Sequence, residues 1–354
     1  MITEIGSEFW INKIPSGRQV EVPDWLSIFG NPILTTSGRG AISLLLEQVV
    51  PQFKTVLLPA FICDSVILPF IENGYSCDFY EINEDLSPNI ESIKSYSDVG
   101  VFLHMGYFGY PTNSNLLSVL KHLKEHSTII IEDVTHTLFS GLIRFQENDF
   151  YIGSIRKWFG VPTGGLVASS VFFLESSSLT NSNFSQLRTI ALLNKGKYFE
   201  TGDESKKDLY LNQISKAEIL LDNDVNPYNI DNISLEIINS VDIVDLVSKR
   251  RENFNYLSKA LKDKEYLEPL FNGLEASVCP MFYPVIIKNQ RNEIRKKLTE
   301  EKIYCPIHWP IPEQIKDRNV DSTMDIYNTI LSIPCDQRYG INEMERIVSV
   351  LKSL

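Results

Sequence analysis

A lysine three residues behind a serine, with paired glycines soon after, is the first feature with chemical potential. Gly153-Ser154-Ile155-Arg156-Lys157 runs into Trp158-Phe159-Gly160-Val161-Pro162-Thr163-Gly164-Gly165. A lysine that forms a Schiff base needs a fixed position and a neighbour that anchors its partner's phosphate; Ser154 offers the hydroxyl. Gly164-Gly165 lets backbone approach a ligand ahead of the next strand, Leu166-Val167-Ala168. Alone, Ser-x-x-Lys also fits an ordinary surface lysine. Asp133 follows Ile131-Glu132 at the end of an apolar run. At the carboxyl end of a buried parallel strand, a carboxylate faces the crevice and can keep a ring nitrogen protonated; it can equally cap the next helix. Thr36-Ser37-Gly38-Arg39-Gly40-Ala41 opens an apolar helix, Ile42 to Val50, whose start would present N–H groups and a positive dipole end to a phosphate. Many helices start this way. His136, three residues after Asp133, can bond a phenolic oxygen or be a satisfied structural histidine. Amine, acid, phosphate turn and imidazole together fit one cofactor, pyridoxal 5′-phosphate (PLP).

These residues need elements to hold them, and the first half of the chain repeats a β-then-α rhythm. Val56-Leu57-Leu58 reads as a strand ending at Pro59, followed by a helix to Ile71. Ser76 to Ile82 and Val101 to His104 are the next strands, and Leu116, Leu117, Val119, Leu120 and Leu123 recur at helical spacing. Thr128-Ile129-Ile130-Ile131 is a β-branched run of the kind buried on both faces of a parallel sheet. The pattern predicts an α/β domain with ligands at the carboxyl ends of its strands. Past Phe173, Ser176 to Ser185 reads as a loop, 186–220 as polar helix, and Asp222 to Asn232 as a connector. From about Leu235 a long helix should lead into a smaller α+β domain with a strand at Phe282 to Ile287 and a helix at Arg291 to Glu300. The expected division is 1–235, a large domain with an N-terminal arm, and 236–354, a small C-terminal domain.

The 354 residues carry a net charge of −12, which argues against a nucleic-acid partner. No run of about 18 apolar residues predicts a membrane span. Met1 to Glu8 lacks the basic and apolar regions of a signal peptide, so none is expected. Cys63, Cys77, Cys279, Cys305 and Cys335 are odd in number and widely spaced. That pattern predicts reduced thiols in a cytoplasm, with neither a disulfide framework nor a metal site.

The order of helix-start glycines, Ile-Glu-Asp strand end and Ser-x-x-Lys ahead of Gly-Gly resembles the DegT/DnrJ/StrS family of PLP-dependent aminotransferases. That family has the fold type I architecture typified by aspartate aminotransferase. The resemblance runs from about Thr36 to Val167 and resumes near Arg250-Arg251 and in Tyr304 to Tyr339. It implies a large domain of mainly parallel sheet flanked by helices, a smaller C-terminal α+β domain, and a homodimer with two shared active sites. It aligns Lys157 with the Schiff-base lysine that shuttles a proton between substrate Cα and cofactor C4′. It aligns Asp133 with the pyridinium partner and Ser154 with a phosphate-binding serine. Gly38 and Arg39 fall where a Gly-Thr pair normally holds the phosphate, so Arg39 is a departure. His136 falls where a Gln or His approaches the phenolic oxygen. Cys63 falls where many relatives stack an aromatic on the ring, and with Phe61 it is expected to cover that face.

Two departures bear on substrate. Sugar aminotransferases of the family usually carry a Gly-x-Asn-x-Arg-Met segment, which 195–215 does not reproduce. Cys305-Pro306-Ile307-His308-Trp309-Pro310 and Pro334-Cys335-Asp336-Gln337-Arg338-Tyr339 fall where they can roof the site, making His308, Trp309 and Arg338 substrate-facing candidates. Arg338 suits a substrate carboxylate, or else a structural salt bridge. The resemblance implies transfer of an amino group from an amino-acid donor, glutamate above all, to a keto acceptor: a nucleotide-linked keto sugar, a smaller keto acid or an aldehyde. Lys157 speaks against the family's dehydratase branch, where histidine replaces it. A decarboxylase, aldolase or other lyase, and a non-catalytic PLP-binding regulatory protein, remain as alternatives. A desulfurase would need a mobile nucleophilic cysteine, and Cys335 lacks small flexible neighbours.

Overall fold

The computed structural model describes residues 4–15, 17, 20–262 and 264–354, so residues 1–3 of the stretch read for a leader, and 16, 18 and 19 of the expected large domain, lie outside it. β1 (Ile5–Gly6) sits in an N-terminal arm. In chain order there follow β2 (Asn31–Thr35), α1 (Gly38–Gln48), β3 (Thr55–Pro59), α2 (Asp64–Glu72), β4 (Ser76–Tyr80) and α3 (Ile90–Lys94). Next come β5 (Val101–Met105), α4 (Leu117–Glu125), β6 (Ile129–Asp133), β7 (Phe150–Ser154) and β8 (Gly165–Ser169). These strands form a seven-stranded sheet of order β2-β8-β7-β6-β5-β3-β4. The five strands from β7 to β4 pair in parallel, and β8 runs antiparallel to both β7 and β2.

Alternation explains why both faces are apolar. Val56, Leu58, Val101, Leu103 and Ile131 feed one core, while Leu57, Phe102 and Ile130 feed the opposite one. Side chains of successive strand residues point to opposite faces, so a run such as Ile129-Ile130-Ile131 is stable only with helices on both sides. The consequence for function is geometric. Residues just past β3, β5, β6 and β7 emerge at one rim, and so do the end of β2 and the start of β8.

The rest of the chain comprises α5 (Ser182–Thr201), α6 (Glu204–Asp222), α7 (Asn232–Ser240), α8 (Ile243–Leu261), β9 (Glu268–Pro269), β10 (Tyr283–Ile286) and α9 (Arg291–Glu300). It closes with β11 (Ile303–Tyr304), α10 (Asp321–Thr329), β12 (Ile330–Ile333) and α11 (Ile341–Lys352). A three-stranded antiparallel sheet has the order β12-β10-β9, and β1 pairs in parallel with β11. Several expectations are refined or corrected here. The polar stretch 186–220 is helical as expected and forms a hairpin of two helices, broken where Gly202 turns left-handed (φ 74) and the Asp203 side chain caps α6 by accepting from Ser205 N. α5 begins inside the expected loop because the Asn181 side chain accepts from Phe184 N. The long helix from about Leu235 is two helices, the second capped by Asp242 accepting from Asp245 N. All five cysteines are free. Among the described residues no helix is long and apolar enough to cross a membrane.

Gly165 shows how tightly the rim is packed. A Cβ there would lie 2.0 Å from the Ser37 carbonyl oxygen and 2.4 Å from Thr35 Oγ1. Gly165→Ala is therefore expected to lower stability by about 1–3 kcal/mol through overpacking. Urea unfolding checks this, and an unmoved midpoint would contradict it.

Candidate active site

Four strand ends build the floor of one cavity of about 490 Å³. At the end of β6, Asp133 is only 4% exposed. Its Oδ1 accepts from Thr135 N at 2.8 Å. Thr135 reaches across to β7 as well, its Oγ1 accepting from Ser154 N at 3.0 Å and its carbonyl from Trp158 Nε1 at 2.7 Å. Burial pushes the Asp133 carboxyl up to about 6, against the lowering pull of the two Thr135 hydrogen bonds. Such a carboxyl lacks a cation and suits one supplied by a ligand.

The turn after β7 carries Ser154, Arg156 and Lys157, with Lys157 solvent-exposed and lining the cavity. Facing it, α1 begins at Gly38 after Ser37, whose Oγ accepts from Gly40 N at 3.1 Å. The first N–H groups of that helix have no intrahelical partner. A Cβ on Gly38 would lie 3.6 Å from Ser154 Cβ, which shows how closely the helix start meets the end of β7. Arg39 pairs with Asp222 at 2.7 Å, and its buried Nε has no hydrogen-bond partner among the described residues. Helix start, serine hydroxyl and a spare guanidinium N–H form an anion cradle.

Two imidazoles close the other side. His136 Nδ1 accepts from Phe108 N at 3.3 Å. Burial, with His308 and Lys157 nearby, holds His136 well below the usual histidine range. A neutral ring that accepts at Nδ1 carries its proton on Nε2. His308 Nδ1 lies 2.7 Å from Ser332 Oγ, and burial followed by Lys157 lowers it to about 3. Trp309 stands 5.3 Å from His136, ring to ring. Cys63, half-buried, also lines the cavity, and its Sγ accepts from Ser65 Oγ at 3.1 Å.

All ten residues singled out from the sequence, Gly38, Arg39, Cys63, Asp133, His136, Ser154, Lys157, His308, Trp309 and Arg338, line this cavity. Phe61, expected beside Cys63, is absent from the lining, and Arg338 takes the second of its two expected roles. Phe61 is fully buried away from the lining, 5.0 Å from the Trp309 ring, so beside Cys63 the cavity meets Trp309 instead. Arg338 engages Asp336 at 2.7 and 2.9 Å and donates to the Glu8 carbonyl at 3.0 Å, so the structural pairing occupies its fork.

Other lining residues were not singled out from the sequence: the arm residues Gly6 to Phe9, and Arg156. Arg156 stands beside Lys157 and was readable by adjacency. The arm was not, because β1 meets β11 across some 300 positions.

The residues present fit PLP: an amine at Lys157, a buried acid near neutrality, an anion cradle and flanking rings. The fold is that of the fold type I aminotransferases. The Helicobacter pylori aminotransferase PseC, described as involved in pseudoaminic acid biosynthesis, superposes with a TM-score of 0.67 at 17% identity, over 93% of this chain and 88% of that one. The sugar aminotransferase CalS13 from Micromonospora echinospora does so with a TM-score of 0.68 at 14% identity, over 99% and 100%. Bacillus subtilis NtdA, solved with bound cofactor PMP, gives 0.63 at 16% identity, over 94% and 77%. The model of the DegT/DnrJ/EryC1/StrS aminotransferase family matches residues 228–352, so the chain resembles that family over its C-terminal third as well. The matched family and these structural neighbours are all described as aminotransferases or their cofactor complexes. No curated protein sequence matches the chain.

Asp133 gives the site a pH signature. Its folded value of about 6 lies above the ordinary 3.8, so its protonated form favours the cofactor-free fold. That stability is fully present below about pH 4 and is lost as pH rises through about 6, by up to about 3 kcal/mol. Asp133→Asn is expected to remove this loss. The difference between the wild-type and variant stability curves from pH 4 to 7 measures it, and parallel curves would contradict it.

Proposed function

We infer that the chain is a PLP-dependent aminotransferase that moves an amino group from an amino-acid donor, glutamate, to a keto group, with a nucleotide-linked keto sugar as the acceptor class. The observation that carries this is the convergence of Lys157, Asp133 and the Gly38–Arg39–Ser154 cradle in one cavity. The sugar acceptor is supported by neighbours of the same fold described as acting in sugar chemistry.

Lys157 would hold the cofactor covalently, with its phosphate against the start of α1, Arg39 and Ser154. When bound, PLP supplies a conjugated ring that stabilises negative charge at the substrate α-carbon. Asp133 would keep the ring nitrogen protonated, and a cation there would turn its strained burial into a stable ion pair. His136, neutral and with its proton on Nε2, would donate to the phenolic oxygen. The Lys157 amine, once free, would take the proton from the substrate α-carbon and deliver it to the cofactor's C4′ carbon. His308 and Trp309 would bound the substrate side and exclude water. Arg338 would fix the arm that lines the cavity. Cys335 is fully buried, and burial pushes its thiol up, which removes the nucleophile that a desulfurase would need.

On this reading 1–235 would hold the cofactor and 236–354 would form the small domain. Position 236 falls inside α7, and a break near Asp242, between α7 and α8, would leave both helices whole. The α5–α6 hairpin exposes the apolar side chains Ile190, Leu209, Leu211, Ile219 and Leu220, which supports a homodimer. Sedimentation is expected to show a dimer at micromolar concentration; a monomer there would contradict it.

The central test is optical. The purified, cofactor-loaded protein is expected to absorb visible light, Lys157→Ala to lose that band, and glutamate to bleach it in the wild type. A band unchanged in Lys157→Ala would overturn the reading, and one that no amino acid bleaches would overturn the aminotransferase reaction.

A further inference from the structure

Behind the cavity wall, screened by Glu8 and Glu218, lies a charged group that the chemistry above does not use. Arg188 is fully buried on α5, with its guanidinium 2.9 Å from Glu8 Oε1 and 3.1 Å from Glu218 Oε1. Arg156 meets the same Glu218 oxygen at 2.7 Å. Both arginines keep a buried Nε without a hydrogen-bond partner among the described residues. Arg156 lines the cavity directly beside Lys157, and Glu8 enters from the arm with its side chain 34% exposed.

The arm itself is fixed. Ile5 N donates to Lys302 O at 2.9 Å and Ile11 N to Leu192 O at 3.2 Å. Trp10 stacks on Phe199 with centroids 4.2 Å apart. A Cβ on Gly160 would lie 2.1 Å from Trp10 O, and one on Gly196 would lie 2.4 Å from Ile11 O. The backbone of Glu8 is thus held at both ends while its side chain borders open space. Rotation about side-chain bonds at such a position is fast, and what holds the carboxylate in place is its pairing with Arg188.

We propose that Arg156 and Arg188 form a carboxylate subsite of the cavity, occupied by Glu8 until a substrate carboxylate displaces it. This rests on the aminotransferase reading and specifies its substrate side: one partner carries a carboxylate remote from the reacting carbon. Charge supports the exchange. With Glu8 swung away, two guanidiniums face Glu218 alone, leaving one positive charge and the Arg188 N–H from which Glu8 had accepted for one incoming carboxylate. The Glu8 carboxyl is already charged: burial acts to raise it, and Arg188 and then Arg156 outweigh burial and bring it to about 2. A carboxylate therefore sits stably on this pair, and a second one meets the same field.

The test is competition for the pair. Glutarate binding to the full chain as purified is measured by calorimetry in wild type and in Glu8→Gln. The variant is expected to bind glutarate at least fivefold more tightly, and adding Arg156→Gln to it is expected to reverse the gain. Glu8→Asp, which keeps the charge on a shorter arm, should shift affinity in the same direction and serves if Glu8→Gln folds poorly. Unchanged or weaker glutarate binding in the folded variant would show Glu8 to be a structural ion pair and overturn the proposal. A gain for inorganic diphosphate without one for glutarate would overturn the carboxylate class. The Lys157-dependent visible band is expected to be unaltered by Glu8→Gln, so the cofactor reading and the subsite can fail separately.

Discussion

Thr135 ties the site together. Its amide donates to Asp133, its hydroxyl accepts from Ser154 N, and its carbonyl accepts from the Trp158 indole. Three hydrogen bonds from one residue thereby fix the end of β6, the end of β7 and the turn that carries Lys157. Each is worth on the order of 1 kcal/mol net, but leaving such groups buried and unpaired would cost about 1–3 kcal/mol apiece. Two adjacent parallel strands cannot slip against each other without losing the bonds to Ser154 and Trp158. The acid and the amine are therefore fixed relative to each other by the sheet, before any ligand arrives.

Around that fixed pair the cavity divides by charge. On one side Asp133 and the two histidines are groups whose charged forms burial disfavours. They present hydrogen-bonding atoms with little net field. On the other side Arg156, Arg188, Glu8 and Glu218 are charged and mutually paired. Lys157 lies between, within the field of both. A site that must hold an aromatic heterocycle and also sort charged substrates benefits from this separation, because a charge placed among the neutral groups would shift the very pKa values that make them useful.

How much of this was legible from residue order follows from how local each feature is. β6 was legible because three β-branched residues precede Asp133, and the turn at Lys157 because serine, lysine and glycines lie within a dozen positions. β7 was harder to read: Phe150 to Ser154 contains Gly153 and lacks a long apolar run. The hairpin of α5 and α6 was obscured because Gly202 sits among polar residues that read as helical. Trp309 in place of Phe61 was illegible, since a buried aromatic and a lining aromatic look alike in sequence. Roles for Arg338 were left open between substrate and structure, and only the Asp336 carboxylate and the Glu8 carbonyl, met in space, distinguish them.

The arm illustrates the remaining limit. Its position depends on contacts that no local pattern encodes: a two-residue parallel pairing with β11, a Trp–Phe stack, and two glycines whose missing Cβ atoms let its backbone pass. Gly160 and Gly196 are 36 positions apart and belong to different elements, yet both are shaped by residues 10 and 11. Close approach of backbone to backbone requires glycine at the point of crossing. Packing of this kind implies a fixed element, so variation in the site is confined to side chains that border the open space. Glu8 is the charged one among them, which is why the chemistry of the arm reduces to where that single carboxylate points.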